Sequence, residues 1–595
     1  MLRILLGRAR TGKSARVLEE IRALGDSSQQ ILLVPEHASH VAEVDVCRAC
    51  GVTASRHAEV LTFKLLASRV LTLTGGAAEV TLDNGGKLLL LQRVLVSLAP
   101  SLRVYRRPSQ RAAFLESLLA LIEELQAYAV APEVLAEKAE AIAGESGERL
   151  RDVALLYGAY LAKLHEGGRD ARDRLEKLEE NLAASGYADD KDIFLDGFSY
   201  FTGRERNILR ILLKRAKSVT VTLLGDGSDS ELFAEGLRVR EQLYALARDA
   251  GVPCTEEVLR GGAPRDALGH VEKHFFGGNV RWDEPTEQLR LYEASTAYDE
   301  AERIAAEILR LVRCEGYRFR DITVTSRDMD AAEPVLRTVF ARCGIPLYCA
   351  RRSDILRRGV PALLLGALDA VSGGFEYEDV FRCLKTGLAG LSAEECDLLE
   401  NYVIKWDIRG AMWTRDVPWT AHPEGYGVPW RTEHEEMLAR VNAAREKVRA
   451  PLSHLYEGVR GMGDVEGKVT ALYNYLTEIA LPEELQRQTE TLWQRGETQR
   501  AEELAQLWNV LCGVLDQFVE MLGGTELDAE EFARLMRLVL TQYSVGTIPV
   551  SLDRVSLAEM TRNDRHAVRV LFLMGANDHV LPAVGGSGGI LKDED

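Results

Sequence analysis

The residues best suited to chemistry lie near the beginning of the chain, where positions 7–14 read Gly-Arg-Ala-Arg-Thr-Gly-Lys-Ser. This is the pattern G-x-x-x-x-G-K-[ST] of a phosphate-binding loop. Its glycines let backbone N–H groups surround phosphate oxygens, and the following helix N-terminus adds partial positive charge. Lys13 is predicted to bind the outer phosphates, and Ser14 is predicted to bind Mg²⁺. The predicted binding residues are Gly7, Arg8, Ala9, Arg10, Thr11, Gly12, Lys13 and Ser14.

The segments on both sides of this loop supply the setting that the motif requires. Ile4-Leu5-Leu6 is typical of a short buried strand, and Ala15–Leu24 of a helix that ends at Gly25. Without a strand and a helix, the same pattern would be an ordinary surface turn. The strand–loop–helix order therefore favours a nucleotide site.

An acidic residue ends a second apolar strand. Asp196 follows Ile193-Phe194-Leu195, and parallel sheets present their ligands at the carboxyl ends of strands. We predict that Asp196 binds Mg²⁺, directly or through water, across from Ser14; the alternative is an acid that caps the next turn. The next residue is Gly197, where ATP-hydrolysing motors of this class carry a glutamate that orients the attacking water. Glycine has no side chain for that task.

Two further segments near this strand have predicted roles. Thr202-Gly203-Arg204-Glu205 fits a helix capping box, so Glu205 is expected to be structural. Leu224-Gly225-Asp226 closes the next strand, where a polar side chain could sense a γ-phosphate.

Composition limits the classes of protein. A chain of 595 residues is too long for one core, and its 46% hydrophobic and 28% charged residues are ordinary for a globular protein. The net charge of −18 argues against a protein that coats nucleic acid with its whole surface, but allows a local basic channel. The nine cysteines show no framework, and no apolar run reaches the roughly 18 residues of a membrane helix. A cytoplasmic protein without membrane contact is expected.

Stretches of alternating short strands and helices are separated by stretches with only helical periodicity. In the second half, Leu289–Glu293, Asp321–Thr325, Asp553–Leu557 and Val568–Met574 are predicted strands. The predicted architecture is α/β, with two parallel-sheet domains that each carry a helical insertion. The predicted boundaries are 1–75 with 186–285 for the first domain, 76–185 for its insertion, 286–360 with 541–595 for the second domain, and 361–540 for its insertion.

This double unit resembles the superfamily 1 helicases of the UvrD/RecB type, whose two domains are RecA-like P-loop folds. Gly7–Ser14 corresponds to their first motif and Asp196 to the acid of their second. A finer resemblance is to the AddB (RexB) subunit family of bacterial AddAB-type helicase–nucleases. The segments that carry it are Leu33-Val34-Pro35-Glu36, Leu61-Thr62-Phe63, Phe194–Phe198 with Phe201-Thr202, Asp321–Val324 with Arg327, Gly344-Ile345-Pro346, and Phe572–Asn577 with Leu581-Pro582.

Several positions depart from an active helicase. Six residues before Gly7 leave no room for the upstream glutamine that reads adenine. Arg327 lies where active relatives place an arginine on the γ-phosphate, but Ser326 replaces the aromatic residue that stacks on the base. Residues 560–566 replace a Gly-Leu-Glu stretch. By resemblance, Asp196 and Arg327 are the candidate catalytic residues, and both are predicted to be degenerate.

The family resemblance implies a function and partners. It implies ATP and Mg²⁺ as cofactors, an AddA-type helicase–nuclease subunit as heterodimer partner, and processing of double-strand DNA breaks for recombinational repair. It also implies that the protein scans single-stranded DNA for a recombination hotspot. A nuclease domain and a [4Fe–4S] cluster are implied for the full-length family, and both are expected to lie beyond this chain, which is expected to be a fragment.

The predicted DNA contacts follow strands of the first domain. By resemblance they are His37, Thr62 and Phe63, with Phe198 as a further candidate, and His37 stands where the AddB family is expected to carry glutamine. Single strands are held by basic grooves and by aromatic faces that stack on bases. Burial in the core is the alternative for Phe63 and Phe198. The tryptophans 406, 413, 419 and 430 either form a partner surface or anchor a loop.

Three functions remain open from the sequence. The first is a non-motor DNA-binding subunit that binds ATP with weak or no hydrolysis. The second is an active helicase motor, which Gly197 disfavours. The third is a small-molecule P-loop kinase, which does not explain a second α/β unit with its own helical insertion.

Overall fold

A computed structural model provides the structure of the chain and describes residues 1–51, 53–75, 82–106, 112–166, 174–228, 230–261, 266–274, 280–349, 353–545, 553–560, 568–581 and 590–591. The positions 561–566 and Pro582, which entered the resemblance, lie outside the described residues. The described residues form two parallel sheets with flanking helices, two short antiparallel strand pairs and a large helical region. The predicted α/β class is therefore confirmed, in an arrangement consistent with RecA-like domains.

In the first half of the chain, a run of helices separates the strands of one sheet. Its strands are β1 (Leu2–Gly7), β2 (Gln30–Leu33), β3 (Ala58–Leu61), β4 (Asp192–Leu195), β5 (Ser218–Leu224) and β6 (Cys254–Val258). The helices of the first half are α1 (Lys13–Leu24), α2 (Ser39–Cys50), α3 (Phe63–Thr74), α4 (Asn84–Leu98), α5 (Ala112–Ala127), α6 (Pro132–Ala141), α7 (Glu145–Glu166), α8 (Arg174–Ser185), α9 (Gly203–Arg215), α10 (Ala234–Ala250) and α11 (Ala267–His274).

The first sheet has six parallel strands in the order β3-β2-β4-β5-β1-β6. Strands β2 and β4 are buried throughout and β1 almost throughout, because helices cover both faces of the sheet. The order places only β5 between β1 and β4, so their carboxyl ends meet at one edge. Strand β6 was not predicted, because Cys254–Val258 is largely polar and pairs only at the outer edge of the sheet.

The second half contains a smaller sheet and most of the helical region. The strands of this half are β7 (Ile322–Ser326), β8 (Leu347–Cys349), β9 (Ser353–Asp354), β10 (Gly463–Asp464), β11 (Glu526–Leu527), β12 (Ser544–Val545), β13 (Val555–Glu559) and β14 (Val570–Met574). Its helices are α12 (Ala297–Cys314), α13 (Met329–Cys343), α14 (Gly359–Ser372), α15 (Tyr377–Leu384), α16 (Ala393–Trp406), α17 (Ala411–Thr414), α18 (Thr432–Val459), α19 (Val465–Glu478), α20 (Leu481–Gln494), α21 (Thr498–Leu522) and α22 (Ala529–Thr541).

The second sheet has four parallel strands in the order β14-β7-β13-β8. Helices α12 and α13 pack against each other, and their apolar residues share one core with the sheet. Gly344 ends α13 in the left-handed conformation, with φ of +68°. Glycine adopts this conformation without strain and is therefore common at helix C-termini.

The predicted strand at Leu289–Glu293 is wrong. These residues form no strand, and Leu291 is 97% exposed. Arg290 instead forms an ion pair with Glu307 of α12, at 2.8 Å between Nη1 and Oε1. An apolar, β-prone sequence becomes a strand only beside a hydrogen-bonding neighbour, and none of the described strands pairs with this segment.

The helices of the two predicted insertions share one hydrophobic core. It includes α4, α5 and α7 from the first half and α14 to α22 from the second half, and α4 packs directly against α21 and α22. Helix α8 instead packs against α3 and α9, and its Leu178 and Leu182 join the core of the first sheet. The domain boundaries given above stay predictions.

Helix α9 begins against the backbone of Tyr128, just after α5. A Cβ on Gly203 would lie 2.5 Å from the Tyr128 carbonyl oxygen, and Arg204 Nε donates to Gln126 O at 3.2 Å. We expect Gly203→Ala to destabilise the chain by about 1–3 kcal/mol in urea unfolding, because backbone has to move. The control is Gly158→Ala in α7, whose Cβ would make an ordinary contact at 3.7 Å. Equal stability of the two variants would contradict this packing.

Candidate nucleotide-binding site

The phosphate-loop pattern lies between β1 and α1, so the predicted strand–loop–helix setting is confirmed. Gly7 ends β1, and a Cβ there would collide with Thr11 Oγ1. Gly12 precedes α1 with φ of +89°, a left-handed conformation that glycine adopts without strain. The backbone conformation therefore favours glycine at position 12, and the close approach of the Thr11 side chain favours it at position 7.

The ammonium group of Lys13 is turned back into the loop. Its Nζ donates to the carbonyl oxygens of Gly7 at 2.6 Å and Arg8 at 2.7 Å. Burial lowers the pKa of Lys13, and the charge of Asp196 opposes that shift. A partly buried cation bound to neutral carbonyls gains more from an anionic ligand than a hydrated lysine does. The loop thus holds a partly buried cation on neutral carbonyl oxygens, and the assignment of Lys13 to phosphate stays a prediction.

Asp196 lies directly after β4, at the same edge of the sheet as the phosphate loop. Its side chain is buried, and its Oδ1 accepts a hydrogen bond from Thr222 Oγ1 of β5 at 2.6 Å. Ser14, in the first turn of α1, is exposed. Gly197 follows with φ of +86°, a backbone conformation that suits glycine and offers no catalytic side chain. The roles of Ser14 and Asp196 toward Mg²⁺ stay predictions.

The predicted capping box at the start of α9 is confirmed. Glu205 N donates to Thr202 Oγ1 at 3.3 Å, and Thr202 N donates to Glu205 Oε2 at 2.8 Å. Burial raises the pKa of Glu205, although the hydrogen bonds from Thr202 oppose the shift. Because both of its functions at the helix N-terminus are structural, Glu205 does not replace the acid missing at Gly197.

Arg327 follows β7 of the second sheet, and its side chain is exposed. Ser326, which precedes it, is buried, and its Oγ donates to Asp328 O at 3.3 Å. Ser326 therefore ends β7 as a buried residue and presents no surface on which a base could stack. The assignment of Arg327 to a γ-phosphate stays a prediction.

A contact joins the phosphate loop to the second α/β unit. Arg10 has φ of +59°, and its Nη2 donates to Val568 O at 3.4 Å, two residues before β14. On the other side of the loop, Arg8 pairs with Asp226 at the end of β5, at 2.8 Å. The sequence placed Asp226 near the site but gave no signal for this pairing.

The four predicted DNA contacts differ in exposure. His37 is exposed just after β2. Thr62 is buried and caps α3, since its Oγ1 accepts from Leu65 N at 3.2 Å. Phe63 is 4% exposed and packs edge to face on Phe198, which is half-buried, with 5.6 Å between ring centroids. In this conformation Phe63 has no free face for a base, whereas His37 has.

Two aromatic residues after β4 have opposite environments. Phe201 is buried, 5.1 Å from the ring of Phe198, and belongs to the core. Tyr200 is 63% exposed at the same edge of the sheet as Asp196. Tyr200 therefore offers the larger aromatic surface for a stacked base.

Most of the tryptophan cluster anchors a loop. Trp413 and Trp419 are buried, and the guanidinium of Arg445 lies 4.9 Å from the ring of Trp419. Trp406 Nε1 donates to the carbonyl of residue 422 at 3.0 Å. Trp430, at 48% exposure, is the cluster member with the largest exposed surface.

Two kinds of feature are absent from the described part of the chain. It holds no group of three or more His, Cys, Asp or Glu side chains arranged to bind a metal ion. Within the same residues, none of the helices combines the length and apolar character that crossing a membrane requires.

Two comparisons with known proteins agree, one over the first part of the chain and one over its whole length. Residues 4–272 match the family described as ADDB, N-terminal. The chain is 31% identical over 612 residues to a protein of Acetivibrio thermocellus, 31% over 610 to one of Thermoanaerobacter sp., and 30% over 613 to one of Clostridium botulinum. All three are named as a subunit of an ATP-dependent helicase/deoxyribonuclease, and each alignment covers 100% of this chain and 53% of the relative. The chain thus spans about half the length of the curated relatives it matches.

Proposed function

This chain belongs to the AddB family, and from that premise we propose that it is the helicase-like, non-motor part of an ATP-dependent helicase–nuclease subunit. The complex processes double-strand DNA breaks for recombinational repair, and this part binds ATP and single-stranded DNA. The names of the relatives support the helicase–nuclease assembly. The phosphate loop supports the binding of nucleotide.

One observation carries the non-motor assignment: an ordered phosphate loop lies at the same sheet edge as Gly197. Nucleotide binding is supported by the left-handed backbone of Gly12, the absence of a Cβ at Gly7 and the position of Lys13 Nζ within the loop. The water-orienting acid is missing, and Glu205 is occupied in its capping box. A general base contributes roughly 10²–10⁴ to a rate. Binding depends on backbone N–H groups and Lys13, so it survives a loss that slows hydrolysis.

The residues at this edge fit a Mg²⁺–nucleotide complex. Gly7 places no Cβ against Thr11. Both hydrogen bonds of the half-buried Lys13 ammonium go to neutral carbonyl oxygens, and Asp196 is a buried carboxylate. Lys13 would hold phosphate oxygens, and Ser14 and Asp196 would hold the metal ion, the latter directly or through water. When bound, Mg²⁺ offsets negative charge on the phosphates.

The partners follow from family membership. An AddA-type subunit supplies the motor and forms the heterodimer, and the names of the longer relatives add a deoxyribonuclease activity to the assembly. Single-stranded DNA is held at the carboxyl edge of the first sheet, with His37 and Tyr200 as the exposed residues there. Phe198 contributes through its half-buried ring, whereas Thr62 and Phe63 support the edge from within.

The test is a titration of the purified chain with a fluorescent ATP analogue and Mg²⁺, combined with an assay of phosphate release. We expect saturable binding and negligible multiple turnover. Multiple-turnover hydrolysis that disappears in Lys13→Ala would overturn the non-motor assignment, and strand unwinding without a partner subunit would favour the motor.

A second experiment addresses DNA. We expect single-stranded DNA to bind with an affinity that falls steeply as salt increases, because phosphate contacts release counterions. Tyr200→Ala should weaken binding by a factor set by roughly 1–3 kcal/mol of lost stacking. The matched control is Tyr426→Ala, an exposed tyrosine in the helical region, which should leave the affinity unchanged. Absence of DNA binding in the wild-type chain would refute this part of the proposal.

A further inference from the structure

An ion pair holds the phosphate loop from the side of β5. Arg8 donates to Asp226 Oδ2 from Nη2 at 2.8 Å and from Nε at 3.2 Å, and both side chains are partly buried. The guanidinium also lies 5.4 Å from the ring centroid of Phe233, at the start of α10. Arg8 is thus fixed by a carboxylate and an aromatic ring.

The backbone carbonyl of Arg8 accepts several of the hydrogen bonds within the loop. Its carbonyl oxygen accepts from Lys13 Nζ at 2.7 Å and from Thr11 Oγ1 at 3.0 Å. It also accepts from Thr11 N at 3.4 Å. Contacts that fix Arg8 therefore also fix Lys13, which is expected to bind the phosphates.

Both carboxylate oxygens of Asp226 accept hydrogen bonds. Its Oδ1 accepts from Ser228 N at 2.9 Å and from the Ser228 hydroxyl, while Oδ2 accepts from Arg8. The bonds from Ser228, and then those from Arg8, lower the pKa of Asp226 to about 2. The carboxylate is therefore charged at neutral pH. An anion held in this way is a poor contact for a γ-phosphate, which repels it.

We propose that Asp226 is a positioning residue for the phosphate loop, which acts through Arg8 on Lys13 and so contributes equally to the binding of nucleoside diphosphates and triphosphates. This rests on the proposed function, because it assumes that the loop binds nucleotide. It replaces the sequence-based interpretation of Asp226 as a γ-phosphate sensor. Asp226 sets where the loop lies, and the loop contacts the phosphates.

The test is a fluorescence titration of the whole chain with ADP and with ATP. Asp226→Asn keeps the size of the side chain and removes its charge. We expect it to weaken ADP and ATP binding by the same factor, roughly threefold to tenfold. Asp226→Glu, which restores a carboxylate, should recover part of the affinity. Arg8→Lys keeps the charge but loses the paired donors, and should reproduce the loss from the other partner.

A double variant tests whether Arg8 and Asp226 affect nucleotide affinity through one shared interaction or independently. Because both residues act through one ion pair, Arg8→Lys with Asp226→Asn should lose no more affinity than either single change. The matched control is Asp189→Asn, which breaks the Arg215–Asp189 pair of 2.7 Å at the opposite edge of the same sheet. It should leave both affinities unchanged.

Three results would overturn the inference. A loss confined to ATP would make Asp226 a γ-phosphate contact, additive losses would mean independent roles, and an unchanged affinity in Asp226→Asn would mean that the ion pair does not position the loop. A wild-type chain that binds neither nucleotide would instead refute the proposed function, together with this inference. The outcomes are therefore distinguishable.

Discussion

Lys13→Ala is expected to lower the affinity of the chain for ATP and ADP by at least about a hundredfold. Hydrogen bonds from a charged group contribute roughly 1.5–3 kcal/mol each, and the ammonium can make two of them to phosphate oxygens. Their loss of about 3 kcal/mol or more corresponds to that factor. The measurement is a fluorescence titration with each nucleotide at constant Mg²⁺ and salt.

The same variant should fold as well as the wild type. Burial lowers the pKa of Lys13 below its ordinary value of 10.5, so the unfolded chain holds this proton more tightly than the folded chain. The stability of the wild type should therefore rise with pH between the lowered pKa and 10.5. Lys13→Ala should lack this part of the rise, which parallel urea titrations at several pH values can measure.

The matched control is Lys64→Ala. Lys64 is exposed in the first turn of α3, which follows β3 of the same parallel sheet, but no phosphate-loop sequence precedes it. Its removal should leave nucleotide affinity unchanged. If Lys13→Ala bound ATP as the wild type does, the loop would not be the nucleotide site.

The second large effect is expected at Asp152, within the helical region. Its carboxylate is fully buried on α7 and accepts from the backbone N of Arg103 at 3.0 Å, Val104 at 2.8 Å and Tyr105 at 3.1 Å. Asp152→Ala leaves these three donors without their acceptor, and each such loss costs roughly 1–3 kcal/mol. We expect a destabilisation of at least about 3 kcal/mol, a large part of the roughly 5–15 kcal/mol typical of a domain.

Urea unfolding followed by circular dichroism measures this effect. Asp152→Asn should lie between the alanine variant and the wild type, because an amide offers one acceptor oxygen instead of two. The control is Glu148→Ala on the same helix, where a partly exposed carboxylate pairs with the Arg103 side chain at 3.1 Å. That pair should contribute no more than about 1 kcal/mol. Equal midpoints for Asp152→Ala and Glu148→Ala would contradict the buried role.

The elements that the sequence predicted well depend on neighbouring residues. Gly12 has a left-handed backbone conformation and Gly7 lies against the Thr11 side chain, so the glycines of the motif could be interpreted without a structure. The capping box of α9 joins residues three positions apart. Buried parallel strands such as β4 appear as continuous apolar runs bounded by turns. In each case the interacting groups are close in the chain.

The features that only the tertiary structure decided depend on residues far apart in the chain. Arg8 and Asp226 meet because β1 and β5 are adjacent, although 218 positions separate them. The segment Leu289–Glu293 has the composition of a strand but no pairing neighbour among the described strands, and β6 is a strand despite its polar residues because β1 provides one. Phe63 is buried because the residues after β4 fold over it. Pairing and burial are properties of the neighbour as much as of the residue, and a sequence specifies its neighbours only through the fold.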